Sequence, residues 1–286
     1  DAAAGTLPDV VDMSPNGAYS LAKAGVIANL SKDDPKGADQ FTDSSWGAVT
    51  FKGDDLEEGA YAYPWYLNSG VQYYNTAVLQ QCGVTDVPTT MDDFFTAAST
   101  IGKNCPGTNM VAAVPTLESL GQYGSQLMNE DQTEFTFNDE KGVELVQHYI
   151  DMYKEKSLSA DALNNQWTGE GDAFKEGNVA SLSGSAYSVS DFEENAPKVY
   201  ENLAIVERLI GEGGKQNVAM ETLVVSNTAK NKDLAMKFAR FVTNKKNQTE
   251  FCTKSHTFPS VKGAIDDPAF SPTGDSMQDK AVALAS

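Results

Sequence analysis

Short apolar runs alternate along the chain with stretches whose apolar residues recur at three- and four-residue spacing. That alternation predicts strand–helix units and a mostly parallel sheet. The strand candidates are Val10-Val11, 111–114, 179–183, 203–206 and 223–225. Thr90 can cap a helix starting near Met91, with Asp93 reaching back from the third position. Its apolar face is Phe94, Phe95, Ala98 and Ile101, and Pro106-Gly107 ends it. A second helix is expected over 139–155, with Val143, Val146, Ile150 and Tyr153 on its buried side and His148 on its polar face. A third starts near Asn231 and is expected to bury Leu234, Phe238, Phe241 and Val242. Gly211-Glu212-Gly213-Gly214-Lys215 reads as a turn between strands.

Composition narrows the function. With 286 residues, 41% of them apolar, the chain can build one large α/β unit or two ordinary lobes. Forty acidic residues against 21 basic ones give a net charge of −19, a surface that repels nucleic-acid backbones and anionic lipid headgroups. No run approaches the roughly 18 apolar residues of a membrane-spanning helix. The opening Asp1-Ala2-Ala3-Ala4-Gly5 reads as the end of a helix, so a piece of a longer protein is expected. Cys82 and Cys105 leave two readings open. A disulfide would close a loop of about 24 residues, worth about 3 kcal/mol; otherwise they are two separate small apolar fillers. Cys252, in a helical stretch, is expected to be buried.

Catalytic motifs are missing. The glycines before Lys215 have neither the spacing nor the following hydroxyl of a phosphate-binding loop. Gly169-Glu170-Gly171 lacks the third glycine of a dinucleotide fingerprint, and no G-x-S-x-G elbow occurs. The two histidines, His148 and His256, lie too far apart in sequence for a zincin pair. Carboxylates are plentiful, but no spacing singles out a glycosidase pair. What recurs instead is aromatic residues beside small polar ones: Pro64-Trp65-Tyr66-Leu67-Asn68-Ser69-Gly70, Ser183-Gly184-Ser185-Ala186-Tyr187 and Trp167-Thr168-Gly169. Sugars present apolar C–H faces ringed by hydroxyls, and flat rings beside amides, hydroxyls and carboxylates suit them. Core or rim packing of the same rings is the other reading.

Six segments together resemble the extracellular solute-binding proteins of ATP-binding-cassette (ABC) importers, in their maltose-binding-protein-like, carbohydrate-binding branch. They are Gly5-Thr6-Leu7-Pro8-Asp9-Val10; Gly59 to Tyr66 followed by Tyr73-Tyr74-Asn75; Val87 to Phe94; Ala173-Phe174-Lys175-Glu176-Gly177 followed by Ser183-Gly184; Asn231-Lys232-Asp233-Leu234-Ala235; and Phe258-Pro259-Ser260-Val261. They run in the family's order over nearly the whole chain.

The resemblance implies a two-lobed, class II periplasmic-binding-protein-like α/β fold with hinge crossovers, incomplete at both ends. Lobe one is expected to take 1–108 and 220–262, and lobe two 109–219 and 263–286. It implies a non-enzymatic receptor that binds a sugar or oligosaccharide between its lobes and delivers it to the permease subunits of an importer. The receptor is expected to be a monomer with no cofactor and no metal, extracellular on a lipid anchor carried by a preceding segment, or periplasmic. Asn16 sits where relatives place a sugar-binding Asp, and Met13 where some place a stacking Trp. Trp65 and Asn68 follow a cleft-edge proline. Glu118 falls just after a lobe-two strand, at a place for an acidic sugar partner. Tyr187 lies one place past the family's Trp, and Glu221 matches a Glu of the family. With Trp167 from the aromatic clusters, these are the candidate ligand-binding residues. The helices before Cys82 and Cys105 pack side by side in the family, which implies that the two thiols are close enough to bridge. Alternatives within the fold are a peptide, polyamine or metal chelate as ligand. Outside it stands a polysaccharide-active enzyme.

Overall fold

The computed structural model describes residues 5–53, 55–131, 133–164 and 169–286. Their strands are β1 (Val10–Met13), β2 (Thr50–Gly53), β3 (Leu56–Ala60), β4 (Tyr63–Asn68), β5 (Gly70–Asn75), β6 (Ser181–Ser185), β7 (Leu203–Glu207), β8 (Ala219–Val225) and β9 (Phe258–Pro259). The chain divides into two compact units. Unit 1 comprises Asp1–Ser69 and Val218–Pro272, and unit 2 comprises Gly70–Asn217 and Thr273–Ala285.

Unit 1 carries a sheet of order β1-β8-β4-β9 and the separate β2-β3 hairpin. β8, which enters the unit from Val218, lies between β1 and β4 and runs antiparallel to both. Helix Pro15–Lys23 follows β1: Ser14 caps it by accepting from the Gly17 amide, and Pro15 supplies a first-turn φ at no hydrogen-bond loss. The core gathers Phe41, Tyr61, Tyr63, Leu223, Val224 and Val225. One polar knot lies inside it. The fully buried Gln248 donates to the carbonyls of Pro64 and Thr243 and to Ser260 Oγ, and accepts from the Ser260 amide. Cys252 is also buried, which pushes its thiol up to about 11 and leaves it unreactive at neutral pH.

Unit 2 has a three-stranded sheet of order β6-β5-β7. Its centre is again the strand by which the chain enters, β5, antiparallel to both neighbours. The expected mostly parallel sheet is therefore corrected in both units. The flanking strands keep the parallel sense that strand–helix alternation predicts, but a strand arriving from the other unit sits between them. Around 111–114 no strand forms, only single bridges from Asn109 to Val179 and from Val111 to Leu158.

Helix Met91–Asn104 buries Phe94, Ala97, Ala98 and Ile101, and Thr90 accepts from the Asp93 amide as its cap. Its end is tied to that of helix Thr76–Gln81 by a disulfide between Cys82 and Cys105, with Cα atoms 5.5 Å apart. Asn104 Nδ2 donates to the Cys82 carbonyl across the same junction.

Two helices turn a different face inward than their periodicity predicts. Helix Glu140–Lys154 buries Gly142, Leu145 and Met152, and leaves Val143, Val146, Ile150 and Tyr153 exposed. Gly142 fixes this orientation, because a side chain there would collide with the Phe137 carbonyl. His148 is not simply solvated, since its ring stacks on Phe95 at 4.0 Å. Helix Lys232–Val242 buries Ala235, Met236 and Ala239, while Leu234, Phe238 and Phe241 are 60%, 53% and 65% exposed. The small Ala235 and Ala239 allow close packing, and the bulky stripe one position back faces outward. Val242 alone of the expected set packs on the core.

The expected lobe boundary also moves. Residues 70–108 belong to unit 2, because β5 pairs with β6 and β7 and the helix from Met91 packs in the unit-2 core. Residues 263–272 belong to unit 1.

Candidate functional site

A cavity of about 210 Å³ opens inside unit 2, walled by helix Met91–Asn104, helix Leu117–Tyr123, helix Glu140–Lys154, β5 and β6. Its apolar side is Met91, Phe94, Phe95, Leu145 and Tyr149; its polar side is Gln72, Glu118, Gln122, Glu170, Ser183 and Arg208. Each polar group has a local reason for its place. Thr116 and Ser119 form a reciprocal capping box that starts helix Leu117–Tyr123 and sets Glu118 in its first turn. The end of that helix is held by the glycine turn after β7: the Gly211 amide donates to Gln122 O, and the Lys215 amide to Gly121 O. Side chains at Gly211 or Gly214 would collide with the carbonyls of Tyr123 and Gln122, so this close approach requires glycine.

Gln122 is buried, donates to the Leu209 carbonyl and accepts from Arg208 Nε at 3.3 Å. Arg208 is thereby steered toward the cavity, and a side chain at Gly70 would take the place of its guanidinium. Gln72 is buried on β5 and accepts from Ser183 Oγ at 2.7 Å. Burial lowers the Arg208 guanidinium from its ordinary value, while Glu118 and Glu170 oppose that shift. Among the described residues neither carboxylate closes an ion pair with it. The guanidinium, two carboxylates and two amides converge on the space without saturating one another. Such a set can take several hydroxyls at once.

Burial pushes the Glu170 carboxyl up to about 7, with Arg208 pulling the other way. Since the folded-state value exceeds the unfolded one, the native state retains a proton that the unfolded chain releases. The resulting stability is fully present below about pH 4.5 and is lost as pH rises to about 7. For a half-buried group screened by solvent it amounts to about 1 to 2 kcal/mol. Urea unfolding of wild type and Glu170→Gln at about pH 5 and about pH 8 checks this: the wild type should lose that much more stability on going to the higher pH. Equal losses would contradict it.

The other candidates divide between the units. In unit 1, Asn16 is exposed in the first turn of helix Pro15–Lys23. Asn68 ends β4 opposite Ala219, and Glu221 lies on β8 opposite Tyr66. Asp12, opposite Leu223, shares the Glu221 face, because directly paired residues and alternate residues along a strand point the same way. Burial raises both carboxyls, and the charge of Asp12 raises Glu221 further. Trp65 sits at the irregularity of β4 between Pro64 and Tyr66. It is half-buried, its ring stacks on Phe251 at 5.0 Å, and its Nε1 is buried without a partner. In unit 2, Glu118 lines the cavity, whereas Tyr187 stands 50% exposed before helix Ser188–Asn195 and does not line it. Trp167 lies outside the described residues.

Sequence reasoning missed Asp12, Gln122, Glu170 and Arg208. A signal existed for two of them. Arg208 is one of only two arginines in the chain, and Asp12 interrupts an apolar strand.

Two α/β units, between which the chain passes at 69/70, 217/218 and 272/273, with an open polar cavity in one, have the architecture of a solute-binding protein. The chain belongs to the bacterial extracellular solute-binding protein family, whose model matches residues 1–281. It is 23% identical over 251 residues to the diacetylchitobiose-binding protein DasA of Streptomyces coelicolor, covering 84% of this chain and 57% of DasA. It is also 23% identical over 286 residues to the galactooligosaccharide-binding protein of Bacillus subtilis, covering 94% of this chain and 64% of that protein. The chain thus spans about three fifths of the length of these relatives. A crystal structure of a candidate oligosaccharide periplasmic-binding protein from Synechococcus sp. MITs9220, solved with zinc, superimposes with a TM-score of 0.86. The two are 25% identical, and the match covers 99% of this chain and 73% of that one. The chain therefore has the two-lobed periplasmic-binding-protein fold.

Proposed function

We propose that this chain is the ligand-binding part of an importer receptor that takes a sugar or oligosaccharide and delivers it to an ABC permease. The observation that carries the reading is the unit-2 cavity, where Glu118, Glu170, Arg208, Gln122 and Gln72 converge beside Tyr149 and, among the described residues, neither carboxylate closes an ion pair with the guanidinium. Its size suits one saccharide ring, and its mixture of apolar wall and convergent polar groups suits a polyhydroxylated ligand. The relatives named for saccharide binding support the same class. Asn16, Asn68, Trp65, Glu221, Tyr187 and Trp167 are proposed as further ligand contacts. The receptor does no chemistry on its ligand. The Cys82–Cys105 disulfide supports an extracellular, oxidising setting, and membrane anchoring by lipid would lie on a segment outside these residues. Delivery is assigned to the monomer.

The test is a thermal-shift screen of the full-length protein against neutral and charged oligosaccharides, with product analysis of each mixture. A ligand that binds only the folded state raises Tm by mass action, about 2.7 kcal/mol at 100 times Kd. A shift without product supports the receptor. Product formation, or shifts with peptides or polyamines alone, would overturn it.

Trp65 has a separate test. Its contact with Phe251 and the unit-1 core predicts that Trp65→Ala lowers stability by about 1 to 3 kcal/mol, short of the 3 to 5 typical of a fully buried ring. If the ring also serves as a sugar platform, the folded variant should bind saccharide about tenfold more weakly, as loss of about 50 Å² or more of stacked apolar area requires. Denaturant unfolding and titration of one variant separate the two contributions.

A further inference from the structure

The charges lining the cavity do not balance. Among the described residues its ionisable acids and bases of ordinary charge are Glu118 and Glu170 against Arg208, with no lysine or histidine in the lining. With both carboxylates ionised the cavity carries one negative charge in excess, partly screened from water. The sugar hydroxyls assumed above can donate to a carboxylate, but they cannot cancel its charge. Glu118 is exposed, but burial disfavours the ionised Glu170 carboxylate by more than Arg208 offsets, and a ligand that brings positive charge beside it relieves that cost. A second pair of acids stands on a strand face of unit 1. Asp12 and Glu221 share a strand face, each raised by burial, and the charge of Asp12 weighs on Glu221 with no basic group offsetting it.

The geometry points to a saccharide bearing a protonated amine, an amino sugar with a free ammonium group, as the preferred ligand class of the unit-2 cavity. This rests on the sugar-receptor reading and narrows it. The ammonium sits against Glu170 and supplies up to three donors, while Arg208 and Gln122 take ring hydroxyls. Among the described residues the charged and titratable groups that act on Glu170 are Arg208 and Tyr149, and Arg208 also feels Glu118. Acetylation of the amine removes the charge and with it the advantage.

The experiment is isothermal titration of the full-length protein at about pH 7.5, just above where Glu170 ionises. The probes are glucosamine, galactosamine and their β-1,4-linked dimers, each beside its neutral parent sugar and its N-acetylated form. The expected result is binding of at least one free-amine form about tenfold or more tighter than both of its uncharged counterparts. In Glu170→Gln the preference for the free amine over its own neutral counterparts should fall toward parity. Glu118→Gln serves as the second variant should Glu170→Gln fold poorly. Neutral or acetylated forms binding as tightly as the amine in every set would overturn the inference and leave the sugar reading standing. A preference unchanged in both variants would also overturn it. No binding by any saccharide, charged or neutral, would overturn the sugar reading and this inference with it.

Discussion

Asp34→Ala is expected to destabilise unit 1 by about 3 to 4 kcal/mol, the largest effect of any single substitution considered. Asp34 is buried, with its side chain 7% exposed, and holds two partners. Tyr63 Oη donates to its Oδ2 at 2.5 Å, and Arg240 pairs with its Oδ1. Tyr63 is itself fully buried, and burial together with the Asp34 charge pushes its hydroxyl well above the usual tyrosine range. Removing the carboxylate leaves a buried hydroxyl and a guanidinium, 35% exposed, without their acceptor. Asp34→Asn keeps an acceptor for Tyr63 and should lose less. The double variant Asp34→Ala/Arg240→Met should lose less than the sum of its singles, because the second change removes the stranded charge. Urea unfolding of wild type, Asp34→Ala, Asp34→Asn, Arg240→Met and the double variant measures all of this. Additive losses would show that the pair is not coupled.

The second large effect concerns the disulfide. Cys82→Ala/Cys105→Ala, or reduction of the wild type, should lower unfolding free energy by about 3 kcal/mol, the loop-closure term for 23 residues of separation. Cys82 is buried and the bridge joins two helix ends, so the alanines also lose packing in the unit-2 core. The midpoint of denaturant unfolding should fall on adding reductant to the wild type and stay fixed in the double variant. An unchanged wild-type midpoint would contradict the bridge's role.

How far the sequence reached can be judged residue by residue. Helix Met91–Asn104 was legible down to its Thr90 cap and three of its four inward residues, because its sequence offers one apolar face. Helices Glu140–Lys154 and Lys232–Val242 offer two stripes offset by one position. There the choice is made by what lies opposite, the Phe137 carbonyl against Gly142 and the close approach that Ala235 and Ala239 permit. The positions of β1, β6, β7 and β8 were readable from apolar runs, whereas β2 to β5 and β9 were not, the run at 111–114 formed no strand, and pairing was not readable. β5 and β8 arrive from the other unit, and no local pattern says that a returning strand will lie between two parallel ones. Glu118 was found at the cavity through resemblance, whereas Arg208 and Glu170 reach it through a glycine turn and a helix start whose spatial meeting is nonlocal. Their segments looked like failed phosphate-loop and dinucleotide motifs.

The central claim is that a saccharide occupies the unit-2 cavity. The most direct measurement is a crystal structure of the full-length protein grown with a saccharide that raises its Tm. The account predicts a sugar ring against Tyr149, with its polar groups within hydrogen-bond distance of Arg208, Glu118 or Glu170 and Gln122. A saccharide bound elsewhere, with this cavity holding only water, would contradict it.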